Sequence, residues 1–195
     1  MRSESRSPRL GLLVSGAGSN LRNLVERGFP VVAVATNRPD CGAARYARER
    51  GLEVGHFAQR DHVSSAARDL AMCAWLVSHK VELVVNAGYD RILSAPFVAE
   101  FNGRIINLHP SLLPAFGGAM NAVEQALQSG REVTGCTVHM VTEAVDAGPI
   151  LLQSEVPILA DDTLATLSAR IRVEEHRILP EAIELLAQTS AAFRK

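Results

Sequence analysis

Cysteine is scarce in this chain. The 195 residues hold three, Cys41, Cys73 and Cys136, odd in number, far apart and in no CxxC pair. That argues against a disulfide-stapled secreted domain and reads as reduced thiols in a cytosolic protein. An excess of either charge is also missing. Twenty Lys and Arg face 21 Asp and Glu, a net charge of −1, so no overall basic field points to nucleic acid. No apolar run approaches the ~20 residues that a membrane span needs. The opening Met1-Arg-Ser-Glu-Ser-Arg-Ser-Pro8 has no apolar h-region and is no signal peptide. The expectation is a soluble, cytoplasmic protein without a membrane partner. Repeats, low-complexity stretches and linkers are absent as well. What is present is 47% hydrophobic and 21% charged residues, enough for a sizeable core. The expected organisation is a disordered tail over 1–8, one domain over 9–187 and a C-terminal tail over 188–195.

Short apolar runs alternate with helical rhythms. Strands are expected at Leu10–Val14, Val31–Ala35, Glu53–His56, Leu83–Asn86, Ile105–Leu108, Thr137–Val141 and Ile150–Val156. Helices are expected at Leu21–Glu26, at Ala43–Arg50 closed by Gly51, and along Val63, Ala66, Ala67, Leu70, Cys73, Ala74 and Val77. Two more follow: one face of Ala119, Ala122, Val123, Ala126 and Leu127, and a long helix from Thr163 to about Leu186 that Pro180 kinks or breaks. This alternation predicts an α/β fold: a single-domain, Rossmann-like sheet, mostly parallel, with helices on both faces. The last two strands have no helix between them, so that edge is expected to be mixed. Ligands of such sheets bind at the carboxyl ends of the strands.

Two segments there carry chemistry. The first is Ser15-Gly16-Ala17-Gly18-Ser19-Asn20, between strand and helix. Its glycines let backbone N–H groups approach an anion, and the helix N-terminus adds partial positive charge. Ser19 and Asn20 add donors, or else cap the helix. A dinucleotide site would want a third glycine where Leu21 stands and an acidic residue where Thr36-Asn37-Arg38 ends the second strand. No lysine follows for a triphosphate loop. A phosphate monoester fits best; a capped turn without ligand is the plain alternative.

The second segment is Ile105-Ile106-Asn107-Leu108-His109-Pro110. Residues two apart in a strand share a face, so Asn107 and His109 project together. Pro110 keeps His109 extended. Further on, His139 lies in an alternating strand and Asp146 in a loop closed by Gly148-Pro149. A carboxylate beside an imidazole favours the imidazolium and is expected to raise its pKa toward working pH. Asn107 could donate to an oxyanion. His109, His139 and Asp146 could also form a two-histidine, one-carboxylate metal site. Each residue has an ordinary use too, as a hydrogen-bonded core histidine or a turn-forming aspartate.

Five stretches together resemble the phosphoribosylglycinamide formyltransferases, a folate-dependent formyltransferase family. They are Ser15–Asn20, Gly88-Tyr-Asp-Arg-Ile-Leu93, Asn107-Leu-His-Pro-Ser-Leu-Leu-Pro114, Gly135-Cys-Thr-Val-His139 and Asp146-Ala-Gly-Pro149. The resemblance implies formyl transfer from 10-formyltetrahydrofolate to the amine of glycinamide ribonucleotide in purine synthesis, with no metal. It implies Asn107, His109 and Asp146 as the catalytic trio. Gly18, Ser19, Asn20 and Glu175 then bind the ribonucleotide. Asp90, Arg91, Ile92, Leu93, Asn107, Thr142 and Val145 bind the folate. The partners would be these small molecules alone, the assembly a monomer or homodimer. Glu175 also stands out by position, on the apolar stripe Leu164, Leu167, Ile171, Ile178 and Ala182, where a carboxylate is costly unless paired. The chain departs from the family pattern at Phe116-Gly117-Gly118-Ala119-Met120, at Asp90, where the family is often apolar, and at Ser65, which aligns with a family arginine. A deformylase, in which water replaces the amine, and a non-catalytic phosphate-ligand binder are the competing readings.

Overall fold

The computed structural model describes residues 6–189. Residues 1–5 of the expected N-terminal tail and 190–195 of the expected C-terminal tail lie outside the described residues. Seven strands form one sheet in the order β3-β2-β1-β4-β5-β6-β7. The strands are β1 (Leu10–Val14), β2 (Val31–Thr36), β3 (Val54–His56), β4 (Leu83–Asn86), β5 (Ile105–His109), β6 (Val133–Met140) and β7 (Ile150–Pro157). The helices are α1 (Ser19–Glu26), α2 (Gly42–Glu49), α3 (Ser65–Ser78), α4 (Ala95–Glu100), α5 (Ala122–Gln128) and α6 (Leu164–Thr189). The fold is the expected α/β one, a mostly parallel sheet with a mixed edge. The chain divides at Ile106/Asn107 and Ala182/Ile183 into two compact units.

In the first unit β1 pairs in parallel with β2 and with β4, and β2 with β3. All five residues of β1 are buried, which is why its sequence is a continuous apolar run rather than an alternating one. The order 2-1-4 reverses the direction of winding at β1. In doubly wound sheets the ends of the strands flanking such a reversal form the ligand crevice. The loops after β1, β2 and β4 meet there.

In the second unit β6 and β7 form an antiparallel pair, with Val133 opposite Pro157 and Val138 opposite Leu152. On α6, Leu167, Ile171, Ile178 and Ala182 are buried as the rhythm implies. Leu164 at the start of that stripe is half exposed instead. Pro180 lies within α6 rather than ending it.

Three sequence expectations need correction. The helical face assigned to α3 is displaced. Val63 precedes the helix and is 99% exposed, and Leu70 and Val77 are half exposed. The buried side is Arg68, Asp69, Met72, Cys73 and Leu76. Two charged residues occupy core positions because they satisfy each other: Arg68 donates through Nε and Nη2 to Asp69 Oδ1, at 2.8 and 2.6 Å. Ala119 precedes α5 and is not part of it. The helix α4 was not anticipated; it is one and a half turns long, too short to show a period.

Candidate active site

β5 delivers Asn107 and His109 to one place, as the two-residue spacing requires. The Asn107 side-chain amide donates to Asp146 Oδ1 at 3.2 Å and lies 3.1 Å from His139 Nε2. His109 Nδ1 lies 3.3 Å from Asp146 Oδ2, and His109 Nε2 donates to the Phe116 carbonyl at 3.0 Å. His139 Nε2 lies 3.4 Å from Asp146 Oδ1, and its Nδ1 donates to the Met140 carbonyl at 2.9 Å. The backbone N–H of Gly118 completes the set, donating to Asp146 Oδ2 at 2.8 Å. Four groups therefore converge on one carboxylate. Sequence reading weighed His139 as a core residue or metal ligand; the structure makes it a neighbour of both Asn107 and Asp146. Its signal was the alternation of β6, which turns it to the same side as Thr137. Among the described residues, no group of three His, Cys, Asp or Glu is spaced to hold a metal ion.

The loops that hold these side chains are tightly specified. Asp146 and Phe116 both have positive φ, 51° and 58°. For a bulky residue such as Phe116 that is an uncommon and strained conformation, of the sort that concentrates at functional sites. The Asp146 loop is closed against β6: a Cβ at Gly148 would stand 1.9 Å from the Met140 carbonyl oxygen. Thr142 Oγ1 donates to the Ala144 carbonyl within that loop, and Val145 is half exposed.

Burial and charge set the protonation of the pair. Asp146 is held down at about 2, chiefly by the hydrogen bond to His139, with burial opposing and the Gly118 N–H and His109 assisting. His109 runs against expectation. Burial pushes its pKa below the ordinary 6.5; Asp146 and the Phe116 carbonyl push it up, but by less. The side chain is 8% exposed, so the loss of hydration outweighs a single carboxylate. Both shifts make acid destabilising. The contribution of Asp146 is present above about pH 4 and is lost as pH falls toward about 2. That of His109, whose pKa is depressed, is present above about pH 6.5 and is lost as pH falls below it. The melting temperature should therefore drop between pH 7 and pH 5, and His109→Asn should flatten that part of the profile. An unchanged slope in the variant would remove His109 as the cause.

The glycine loop lies in the first unit. Gly18, with φ of 81°, is the N-cap of α1 and has no side chain to cap it, and Ser19 begins the helix. A Cβ at Gly18 would lie 2.6 Å from Ala43 Cα, so this glycine is required by the approach of α2. Gly16 is different: a Cβ there meets nothing within 4 Å. Substituting Gly18 thus tests folding as much as binding. Gly18→Ala should lose stability, about 1–3 kcal/mol from backbone strain alone. Gly16→Ala should melt within about 0.5 kcal/mol of wild type and weaken an anionic ligand by crowding the loop; an unchanged affinity would count against this loop as the anion site.

Asp90 is tied into the same region. Its carboxylate accepts from Asn37 Nδ2 at 2.7 Å and Ser15 Oγ at 3.2 Å, and it pairs with Arg38 and, at 3.5 Å, with Arg91. Burial opposes its ionisation, but these donors together hold its pKa below the usual carboxylate value. Ile92 is largely exposed and Leu93 half-buried. In the second unit Glu175 is half-buried on α6. Its charge reaches Cys136, whose thiol is pushed up to about 12 by burial first and by Glu175 and Glu174 next. The neighbouring Glu174 is engaged by Ser154 Oγ at 2.6 Å and Arg177.

Taken together, a doubly wound α/β sheet carries an Asn–His–Asp cluster suited to acid/base chemistry at a carbonyl. A family model described as formyl transferase matches residues 9–183, and the chain belongs to that family. It is 45% identical over 188 residues to a phosphoribosylglycinamide formyltransferase of Mycobacterium tuberculosis, covering 94% of this chain and 86% of that one. It is 40% identical over 190 residues to the human trifunctional purine biosynthetic protein adenosine-3, covering 94% of this chain. The chain spans only 19% of the length of that human relative and 14% of its Drosophila melanogaster counterpart. Among solved structures, glycinamide ribonucleotide transformylase 1 from Symbiobacterium toebii aligns with a TM-score of 0.89 and 44% identity, over 93% of this chain and 88% of that one.

Proposed function

We propose that the protein transfers the formyl group of 10-formyltetrahydrofolate to the amine of glycinamide ribonucleotide, giving formylglycinamide ribonucleotide and tetrahydrofolate in purine synthesis. The observation that carries this reading is the convergence of Asn107 and His109 on Asp146, the first by a hydrogen bond and the second by an ion pair. The names borne by the relatives support the choice of substrates.

In this reading the amine attacks the formyl carbon. Charge develops on the formyl oxygen, where the Asn107 amide and the His109 N–H donate. The Nε2–H of His109 exchanges the Phe116 carbonyl for that oxygen. A neutral His109 becomes a stronger base as the oxyanion forms beside it and takes up, through water beside Asp146, the one proton that the attacking amine loses; the imidazolium then gives that proton to the folate nitrogen as its bond to the formyl carbon breaks. Asp146, ionised across the physiological range, stabilises the imidazolium and orients the water. Low exposure strengthens each of these interactions.

Gly18, Ser19, Asn20 and Glu175 are the proposed ribonucleotide contacts, supported by the left-handed turn at Gly18 that opens α1. Asp90, Arg91, Ile92, Leu93, Asn107, Thr142 and Val145 are the proposed folate contacts. Ile92 and Val145 are each exposed, which supports their availability to a ligand. No metal is required, the partners are the two small molecules, the assembly is a monomer or homodimer, and the compartment is the cytoplasm. Among the described residues no helix is long and apolar enough to cross a membrane.

A coupled assay decides. Purified protein with a 10-formyl folate should release tetrahydrofolate only when glycinamide ribonucleotide is added. Equal release without the amine would make the protein a hydrolase, and no release in either case would leave a binding protein.

A further inference from the structure

The side chain of Asp90 is engaged by the loops after β1 and β2. The segment 90–93 is the proposed folate segment, yet the Asp90 carboxylate is turned to the ends of β1 and β2. Ser15 Oγ donates to Asn37 Oδ1 at 2.6 Å and to Asp90 Oδ1 at 3.2 Å, and it accepts from the Asp90 N–H at 3.1 Å. Asn37 Nδ2 donates to Asp90 Oδ1 at 2.7 Å. The Ser15 N–H donates to the Gly88 carbonyl at 3.1 Å, so the loops after β1, β2 and β4 share one hydrogen-bonded knot. All four side-chain partners of Asp90 (Ser15, Asn37, Arg38 and Arg91) line a single open cleft of about 650 Å³ that also borders Gly16. Asp90 itself is mostly covered, its side chain 18% exposed.

We propose that Asp90 is a positioning residue for the Ser15–Asn20 loop, fixing the loop's first residue and two arginines beside it so that its backbone N–H groups are preset for the ribonucleotide's phosphate. The proposal rests on the ribonucleotide reading above. It is specific to this chain, because an apolar residue at position 90 keeps the backbone bond to Ser15 but can make none of the bonds of the carboxylate. The Ser15 hydroxyl has its nearest acceptor in Asn37 Oδ1; Asp90 holds that amide through Nδ2, offers a second acceptor and donates its own N–H to Ser15. Arg38, paired with the carboxylate, and Arg91, 3.5 Å from it, are held beside the loop.

The direction of the effect separates positioning from simple charge. Removing a negative charge beside an anion site should by itself tighten binding of an anion. Loss of positioning should weaken it. In steady-state assays Asp90→Leu should raise KM for glycinamide ribonucleotide about tenfold, the equivalent of one to two hydrogen bonds. The rise in the ribonucleotide KM should exceed any rise in the folate KM several-fold, since the Asn107 cluster and the backbone of 91–93 are unaltered. Asp90→Asn, which can still bond Ser15 and Asn37, should recover the ribonucleotide KM to within about threefold. Ser15→Ala removes the other end of the tether and should repeat the Leu phenotype, also where the Leu variant folds poorly. An unchanged or lower ribonucleotide KM in both Asp90→Leu and Ser15→Ala would overturn the proposal, as would an equal rise in the folate KM or an Asn variant as impaired as the Leu one. Wild-type protein without turnover would sink the functional reading instead. The positioning role would then be judged by calorimetry with inorganic phosphate, whose affinity should fall about tenfold in Asp90→Leu.

Discussion

His109→Ala is expected to lower kcat about 10²–10⁴-fold while ribonucleotide affinity stays near that of wild type. The ring sits between the Asp146 carboxylate and the Phe116 carbonyl, and it is the group best placed to move a proton at the reacting carbonyl. Asn107→Ala should cost about 10²–10³-fold in kcat, because it removes the proposed oxyanion donor and a hydrogen bond to Asp146. The double variant should be little worse than His109→Ala, since residues that act as a unit lose their effect together. Single-turnover kinetics with saturating folate, beside calorimetric binding of the ribonucleotide, makes the measurement. Near-wild-type turnover in either single variant would end the catalytic assignment. Turnover lost in step with ribonucleotide binding would point to a collapsed site rather than to missing chemistry.

The second large effect is on stability. Asp69→Ala should destabilise the protein by about 3–5 kcal/mol, a drop of roughly 10 °C or more in melting temperature for a chain of this size. Asp69 is fully buried, and its removal leaves the Arg68 guanidinium, 2% exposed, without its counter-ion. The carboxylate also accepts the Ser94 N–H at 2.7 Å, the residue that caps α4 and follows the 90–93 segment. A double replacement, Arg68→Met with Asp69→Leu, should recover most of the loss, because well-packed apolar side chains often match a buried ion pair. It should not restore the partner of the Ser94 N–H, so the folate KM should remain raised in the rescued protein. Denaturant titration gives the stabilities; a cost below about 1 kcal/mol for Asp69→Ala would show that water reaches Arg68.

Local patterns were legible where one physical rule governs a short stretch. The five apolar residues of β1 are buried on both faces, and the glycine loop breaks the chain where a helix must start. Asn107 and His109 share a face because a strand has period two. Rules that depend on neighbours far along the chain were not legible. Arg68 and Asp69 look like a solvated surface until their own pairing, with Gln59 and Ser94 nearby, makes them tolerable in the core. The helical face drawn through Val63, Leu70 and Val77 failed for the same reason: the rhythm counted apolar residues and left out a charged pair that could be buried. Asp90 read as one member of a folate segment, since nothing local says that Ser15 and Asn37 lie within reach of its carboxylate.

By itself the sequence determined the alternation of strands and helices, the place of the glycine loop and the shared face of Asn107 and His109. Each follows from backbone geometry and side-chain chemistry within a few residues. Only the tertiary structure decided the company these residues keep. It brought Asp146 and His139 to Asn107 across 39 and 32 residues of chain. It buried His109 deeply enough to lower its pKa where a neighbouring carboxylate alone would have raised it. Hydration is lost according to how the whole chain packs, and sequence separation carries no record of that.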